Sequence, residues 1–342
     1  MLQYIVRRAL WAVVLFFAIT MVSYILFFVI PAEPTRIGLG RSGTARDIGE
    51  AIGLHGPVYR EYGQFVWHVA HGSLGRSWFN RRDVKEMIFA AAPVTFSLVI
   101  GGAIFWMLLA IPIGILSALR PRSRLDRAST VLVLIGISAH PVWLGLVFSY
   151  FLGYKLHLFP LGGYCDLISP TTTCGGPLQW TWHLILPWVT FAVLYAALYT
   201  RMIRATVMEA MSEDYVRTAE AKGAPRSRVL RVHILRNAML PVVTMLGMDL
   251  GVWIANAVFV ESIYGLPGVG RLLVRALSQR DLPVVMGVIV FTSLVIVTLN
   301  LIVDVLYAAI DPRARVEQSE DEGEPLTAQR RKPIVSSAEQ PA

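Results

Sequence analysis

Charged residues are scarce in this chain of 342 residues, of which only 16% are Asp, Glu, Lys or Arg. Hydrophobic residues make up 55% of the sequence, and its mean hydropathy is +0.56. Soluble globular domains contain about 25% charged residues, so this composition lies outside their usual range. The sequence therefore predicts a protein embedded in a membrane.

The sequence also lacks the motifs of common enzyme and nucleotide sites. It contains no G-x-x-x-x-G-K-[ST] phosphate loop, and its seven histidines are scattered. Gly38, Gly40 and Gly43 match G-x-G-x-x-G, but no strand precedes them, so we reject a dinucleotide site. We expect this chain to have no catalytic residues, no metal site and no cofactor of its own.

The net charge of +8 is typical of some nucleic-acid-binding proteins, but the positions of the charges exclude that class here. Lys and Arg concentrate at the ends of apolar runs, and no patch of interleaved aromatic and basic residues is present. This distribution is the one that membrane topology requires. We expect membrane lipid around the chain and no nucleic acid partner.

Six long runs without Lys or Arg divide the chain: 9–30, 94–119, 128–154, 183–200, 237–260 and 284–310. A helix of about 20 apolar residues crosses a hydrocarbon core of about 30 Å. The sequence therefore predicts an all-α polytopic membrane protein with six transmembrane helices, and 1–30 is its N-terminal anchor. The segment 31–93 is predicted to be a partly structured extracytoplasmic loop, and the polar tail 311–342 a disordered cytoplasmic segment.

The distribution of Lys and Arg predicts the orientation of the chain. The N-terminus, the loops 120–127 and 201–236, and the tail together hold 19 of these residues. The short loops on the opposite side hold only four, at Lys155, Arg271, Arg275 and Arg280. Because cytoplasmic loops carry the excess of positive charge, we expect both termini in the cytoplasm.

A basic hydrophilic stretch at 209–241 separates the fourth and fifth runs. Ser212 is predicted to cap a helix of about ten residues, because acidic residues follow it in the first turn. Gly223, which follows Lys222, is predicted to end that helix in the left-handed conformation. Pro225 is predicted to start a second helix that returns to the membrane.

The short helix within this stretch has an apolar face formed by Tyr215, Val216 and Ala219. We interpret this face as the docking surface for a partner protein. The alternative is a solvated basic loop that obeys the positive-inside rule, which explains the arginines but not the apolar face.

Cys165 and Cys174 are the only cysteines, and both fall in the outer loop between the third and fourth runs. A disulfide between them closes a loop of about ten residues and is compatible with an oxidising compartment. Two free thiols are the alternative.

Asp249 and Asn256 are the polar residues that we assign to the translocation path. They lie seven residues apart in the fifth run, so they share one face of a helix. Ionisable groups at membrane depth are candidates for function, although hydrogen bonding between helices is the common alternative. Candidate helix breaks lie at His140-Pro141, Pro112 and Pro187.

Several motifs resemble one transporter family over residues 2–315. They are DYVRTAEAKG followed by RNAMLPV, the outer segment ESIYGLPGVGRLLVRALSQRDLPVVMG, and NLIVDVLYAAIDPRAR near the end. The phrases GPVYREYGQFVWHVAHGSLGRSW and IPIGILSALRPRSRLDR fit the same pattern. In these motifs the chain resembles the permease subunits of bacterial binding-protein-dependent ABC importers of the dipeptide, oligopeptide and nickel class.

This resemblance implies a type I importer permease fold in the bacterial inner membrane, with the permease domain at 94–310 and a coupling loop at 201–236. The permease would form half of a pore for di- or oligopeptides, paired with a second related permease. Two ATP-binding subunits or domains would hold ATP and Mg, and an extracytoplasmic solute-binding protein would deliver the peptide. Nickel, glutathione and oligosaccharides remain alternative solutes.

The resemblance also implies which residues meet the ATPase. The alanine and glycine of an EAA-type docking loop correspond to Ala219 and Gly223, whereas Arg217 stands at the usual glutamate position. The expected docking residues are Tyr215, Val216, Arg217, Ala219, Lys222 and Gly223. An ion-driven secondary transporter is the alternative from another class, but the inverted repeat that it predicts is not evident.

Overall fold

The computed structural model describes residues 2–29, 58–167 and 174–310, which form helices joined by turns. In chain order the helices are α1 (Leu2–Tyr24), α2 (Val58–Ala70), α3 (Val84–Leu119), α4 (Arg124–Ser138), α5 (Pro141–Phe148), α6 (Pro177–Ser212), α7 (Asp214–Ala221), α8 (Arg226–Arg228), α9 (Arg236–Ile263), α10 (Val269–Gln279) and α11 (Leu282–Ile310). Three π-helical segments of the described chain, π1 (Ile25–Val29), π2 (Ser149–Lys155) and π3 (Val229–Leu235), continue α1, α5 and α8. These ranges contain no strand, in agreement with the predicted all-α class. The tail 311–342 and the glycine motif at 38–43 lie outside the described residues.

The predicted transmembrane runs correspond to helices of the structure. Five helical segments are long and apolar enough to cross a membrane: Val6–Phe27, Val84–Leu119, Pro177–Ser212, Arg226–Asp249 and Leu282–Val303. The pair Asp126–Ser138 and Pro141–Lys155, which is bent by 102°, makes six when it is counted as one span. The structure therefore agrees with a multi-pass helical membrane protein.

The bend between α4 and α5 lies at the candidate break His140-Pro141. Ala139 and His140 have extended backbones, with ψ angles of 117° and 136°. Proline disfavours the helical conformation of the residue before it, so α4 ends here. The Nδ1 atom of His140 then accepts a hydrogen bond from the Val142 N–H at 3.3 Å and caps α5.

The other two candidate breaks do not interrupt their helices. Pro112 lies inside α3 and Pro187 inside α6, and both helices continue through 36 residues. Proline is tolerated in membrane helices because neighbouring helices and local adjustments satisfy the freed backbone groups. A helix of 36 residues is about 54 Å long, so each extends beyond a hydrocarbon core of about 30 Å.

Small residues let α3 and α4 approach α6 closely. A β-carbon added at Gly114 of α3 would lie 2.8 Å from the Ile203 Cβ of α6. One added at Gly136 of α4 would lie 2.8 Å from the Ala197 Cβ of the same helix. Such contacts are typical of helix packing in membranes, where van der Waals contact replaces the hydrophobic effect.

An aromatic cluster fills the space where α3, α6 and α9 meet. The Trp106 ring lies 4.1 Å from the Trp253 ring and 4.9 Å from the Tyr195 ring, measured between centroids. Tyr199 packs against both tryptophans, and all four side chains are buried. This cluster forms the rigid wall behind the polar residues of α9.

The helix α2 lies in the segment 31–93 and rests on α1. The hydroxyls of Thr20 and Tyr62 are 2.9 Å apart and share a hydrogen bond. The Tyr62 ring also lies 5.6 Å from the Tyr24 ring. Part of the first loop is therefore attached to the outer half of the first span.

Two buried carboxyl groups hold α10 at its ends. Glu261 accepts hydrogen bonds from the Thr95 hydroxyl at 2.6 Å and from the Arg271 N–H at 2.9 Å. At the other end, Asp281 accepts one from the Ser77 hydroxyl. These contacts join α10 to the start of α3, far away in the sequence, and the sequence analysis did not identify either carboxyl group.

Candidate functional site

The basic stretch forms a sharp corner between α6 and α7. Ser212 is the last residue of α6, and its hydroxyl donates to the Glu209 carbonyl at 2.7 Å. The prediction that Ser212 caps the short helix is therefore wrong, because α6 continues through it and Glu213 takes the cap position. The short helix itself is present at Asp214–Ala221.

Gly223 ends α7 as predicted. Its φ angle is +75°, in the left-handed region that favours glycine. Its N–H donates to the Glu220 carbonyl at 2.9 Å, and the Ala224 N–H donates to the Ala219 carbonyl at 3.2 Å. These two bonds form a Schellman motif, which satisfies the last carbonyls of the helix and sets the direction of the next segment.

The two faces of α7 differ from the prediction. Val216 and Ala219 are only 3% and 9% exposed, and they belong to the core cluster that includes Val207 of α6 and Val229 of π3. They attach α7 to its own chain and leave little surface for a partner. The earlier assignment of these two residues to the docking face is corrected by their spacing of three residues on the inward side.

The outward face of α7 carries the remaining predicted docking residues. Tyr215, Arg217 and Lys222 are exposed. Arg217 lies 3.6 Å from the Asp214 carboxylate, but both side chains are exposed, so this pair contributes little to stability. The surface available to a partner is therefore hydrophilic, with Tyr215 as its large aromatic side chain.

Asp249 and Asn256 both face α6, as their spacing predicts. The Tyr199 hydroxyl donates to the Asp249 carboxylate at 2.9 Å, and the Asn256 amide donates to the Tyr195 hydroxyl at 3.1 Å. The alternative of hydrogen bonding between helices is therefore realised. Both polar side chains remain partly exposed. The sequence analysis missed the two tyrosines, whose spacing of four residues on one helix was the available signal.

A row of exposed side chains lies beside these polar residues on α9. Met248, Val252, Ala255 and Phe259 are separated by steps of four, three and four residues. That spacing keeps them on one face of a helix. No other described helix covers this row, whereas the opposite face of α9 is packed against α6.

Cys165 and Cys174 form the predicted disulfide, and their Cα atoms are 5.4 Å apart. The adjacent segment is fixed to the membrane helices by Tyr264 at the end of α9. The Gly163 N–H donates to the Tyr264 carbonyl at 3.3 Å, and the Tyr264 and Thr190 hydroxyls are 2.7 Å apart. No group of three or more possible metal ligands occurs within the described parts of the chain.

We expect alkylation of the unreduced protein to leave Cys165 and Cys174 unmodified, because the structure pairs them in a disulfide. Treatment with a reductant before alkylation should add two labels, which intact-protein mass spectrometry can count. A variant in which both cysteines are replaced by serine should take up no label in either condition. Two labels without reductant would contradict the pairing.

Comparison with known protein families accounts for most of the sequence. Residues 110–316 match the model described as "Binding-protein-dependent transport system inner membrane component". Residues 1–99 match the N-terminal model of the same group of membrane components. The chain belongs to this family. Its members are permease components, and the matches cover the helices that form both the α7 corner and the Asp249 region.

Named relatives are similar to this permease over nearly its whole length. The dipeptide transport system permease protein DppB of Escherichia coli (strain K12) is 34% identical over 336 residues, covering 92% of this chain and 99% of the relative. The oligopeptide transport system permease protein AppB of Bacillus subtilis (strain 168) is 35% identical over 317 residues, with the same coverage. The di/tripeptide permease DppB of Pseudomonas aeruginosa (strain UCBPP-PA14) is 33% identical over 333 residues, covering 92% of this chain and 99% of the relative.

A solved structure has the same fold as this permease. A chain of the MetNI methionine ABC transporter, determined in inward-facing conformations, superposes with a TM-score of 0.52 at 16% sequence identity. The match covers 66% of this chain and 96% of the MetNI chain. The predicted type I permease fold is thereby confirmed.

Proposed function

We propose that this chain is the permease subunit of an ATP-driven importer and forms half of a translocation pore for di- or oligopeptides. The observation that carries this proposal is the similarity to dipeptide and oligopeptide permeases over 92% of the chain. The corner formed by α6, α7 and Gly223 supports it, because it presents a short helix away from the membrane bundle.

The proposed partners divide the work of transport. Two ATP-binding subunits or domains hold ATP and Mg and dock on the exposed face of α7 through Tyr215, Arg217 and Lys222. Val216 and Ala219 hold α7 in place, and Gly223 sets the angle at which it leaves. A second related permease completes the pore, and an extracytoplasmic solute-binding protein delivers the peptide. ATP then biases a two-state equilibrium between inward-open and outward-open arrangements.

Reconstitution tests this function directly. The permease, its partner permease, the two ATPases and the binding protein are placed in liposomes, and uptake of radiolabelled dialanine is measured. Uptake should require both ATP and the binding protein. Nickel, glutathione and a maltooligosaccharide serve as the competing solutes. Uptake that follows an ion gradient in the absence of ATP would instead support a secondary transporter.

The exposed row of α9 and its neighbours Asp249 and Asn256 are the proposed lining of the path. Asp249→Leu should reduce uptake per assembled complex at least tenfold, because it replaces a polar group of the path with an apolar one. The measurement is initial uptake normalised to purified complex. Tyr199→Phe is the matched control, because it removes the hydrogen bond to Asp249 but keeps the carboxylate.

The alternative role of Asp249 gives a different pattern. If the carboxylate only holds α9 against α6, Asp249→Leu and Tyr199→Phe should lower the yield of folded protein to a similar extent. Uptake per complex should then stay near the wild-type value for both variants.

The proposed location is the bacterial cell membrane, with both termini in the cytoplasm. We expect a single cysteine at Ser227 to be shielded from a membrane-impermeant thiol reagent in intact cells, and one at Ser278 to be labelled. Both serines are exposed on the protein surface, so burial in the chain does not limit the reaction. The background lacks Cys165 and Cys174. Equal labelling at both positions would contradict the orientation.

A further inference from the structure

The carboxylate of Asp126 is the centre of a buried polar junction at the end of the bundle that carries α7. Its residue is only 5% exposed. Arg204 donates from Nε to Oδ1 at 2.7 Å and from Nη2 to Oδ2 at 3.1 Å. The Ser117 hydroxyl and the Arg122 N–H, the latter at 2.9 Å, complete the set of donors.

These four partners belong to different elements. Ser117 is in the last turn of α3, Asp126 is in the first turn of α4, and Arg122 is in the turn that joins these helices. Arg204 is on α6. The junction therefore joins the α3–α4 hairpin to α6 at one point, with each carboxylate oxygen accepting from both sides.

The backbone of the turn is shaped for this contact. Arg122 has a φ angle of 64°, in the left-handed region that side chains other than glycine rarely adopt. This conformation places its N–H on the carboxylate of Asp126. Ser123 caps α4 by accepting from the Asp126 N–H at 3.1 Å, which fixes the start of the helix.

The position of Arg204 links this junction to α7. From Arg204 the helix α6 continues without interruption to Ser212, about 12 Å further on, and α7 begins after a single extended residue. Val207 and Ala210 are buried along this part of α6, so it is packed and not free to bend independently. A displacement of α7 must therefore reach Arg204 along a stiff helix.

The other contacts between the hairpin and α6 near this end are small and apolar. Gly114 and Gly136 meet Ile203 and Ala197 through carbon atoms. Such surfaces define a distance but not a direction, and they can slide. A two-point Arg–carboxylate pair fixes both position and orientation. Buried ion pairs are weak evidence for stability, and fixing one geometry is a role that apolar residues of the same volume do not supply.

We propose that the pair Asp126–Arg204 transmits the movement of α7 to the α3–α4 hairpin, so that the hairpin and α6 move as one unit when the ATPases close. Asp126 and Arg204 are positioning residues in this scheme, because neither contacts solute or nucleotide. The inference rests on the proposed function, since it assumes that α7 receives the ATP-driven movement.

The first test measures coupling in the complete reconstituted complex with its binding protein. In Asp126→Asn the number of dialanine molecules taken up per ATP hydrolysed should fall at least tenfold, while the ATPases remain bound. Arg204→Gln should have the same effect, and the double variant should be no worse than either single one. Arg201→Gln is the matched control, because it removes the same charge from an exposed site one turn away on α6. An unchanged ratio in Asp126→Asn, even at reduced yield of complex, would overturn the proposal.

The second test does not depend on the identity of the solute. Spin labels are placed at Arg127 on α4 and Glu209 on α6, both exposed, in a background without native cysteines. In the wild type the distance between the labels should stay the same when the complex is trapped with ATP and vanadate. In Asp126→Asn the trapped state should show a shifted or broader distance distribution, and an unaltered one would overturn the proposal. If the wild type imports no dialanine, the proposed peptide function fails while this measurement still tests the junction.

Discussion

Ala219→Glu is expected to release α7 from α6 and to reduce retention of the ATPase subunits at least tenfold. Ala219 is 9% exposed and faces the core cluster that contains Val216, so a carboxylate there would be buried without a partner. Burial of an unpaired charge costs several kcal/mol, and about 1.4 kcal/mol corresponds to a factor of ten in an equilibrium. Co-purification of the ATPases on a tagged permease measures the effect.

A matched set of variants separates the position of α7 from its general stability. Ala219→Ser keeps the size of the side chain and should retain the ATPases. At the other end of the helix, Gly223→Val should weaken coupling through its left-handed backbone alone, because an added β-carbon meets no atom within 4 Å. Gly223→Asn should be tolerated, since asparagine adopts this conformation more readily. Full retention of the ATPases in Ala219→Glu would show that the packing of α7 is irrelevant to docking.

Glu261→Leu is expected to prevent accumulation of folded protein. Glu261 is fully buried, and it accepts from the Thr95 hydroxyl and from the N–H groups of Gly270 and Arg271. A buried donor that loses its acceptor costs about 1–3 kcal/mol, so the loss of these bonds is large against a typical stability of about 5–15 kcal/mol. Fluorescence-detected gel filtration of the solubilised protein measures the yield and the thermal midpoint.

The neighbouring glycine provides an independent variant of the same site. A β-carbon at Gly268 would overlap the carboxyl group of Glu261, so Gly268→Ala should produce the same loss of folded protein. Glu261→Gln keeps one carbonyl oxygen as an acceptor and should be milder than Glu261→Leu. A wild-type yield and thermal midpoint in Glu261→Leu would show that α10 does not depend on this anchor.

Local signals in the sequence predicted several elements correctly. The left-handed Gly223 and the bend at His140-Pro141 each follow from the conformational preferences of one or two residues. The pairing of Cys165 with Cys174 follows from their proximity in the chain. The helix boundary at Ser212 was predicted wrongly, because the packing of α6 extends the helix past a residue that could cap the next one.

The faces of α7 show why part of the candidate site was not predictable. The sequence placed Val216 and Ala219 on one apolar face, and this is what the structure contains. It did not say whether that face meets another protein or the same chain, because both environments exclude water equally. Only the position of π3 beside α6 assigned the face to internal packing.

The sequence by itself determined the class of this protein, its helical spans, its short corner helix and its family, because hydropathy, charge distribution and local motifs are properties of neighbouring residues. The tertiary structure alone decided the partners of its buried polar groups. Asp126 with Arg204 and Glu261 with Thr95 are 78 and 166 residues apart in the chain. A lone carboxyl group in a sequence does not reveal which distant donor will reach it, because that depends on how the helices pack.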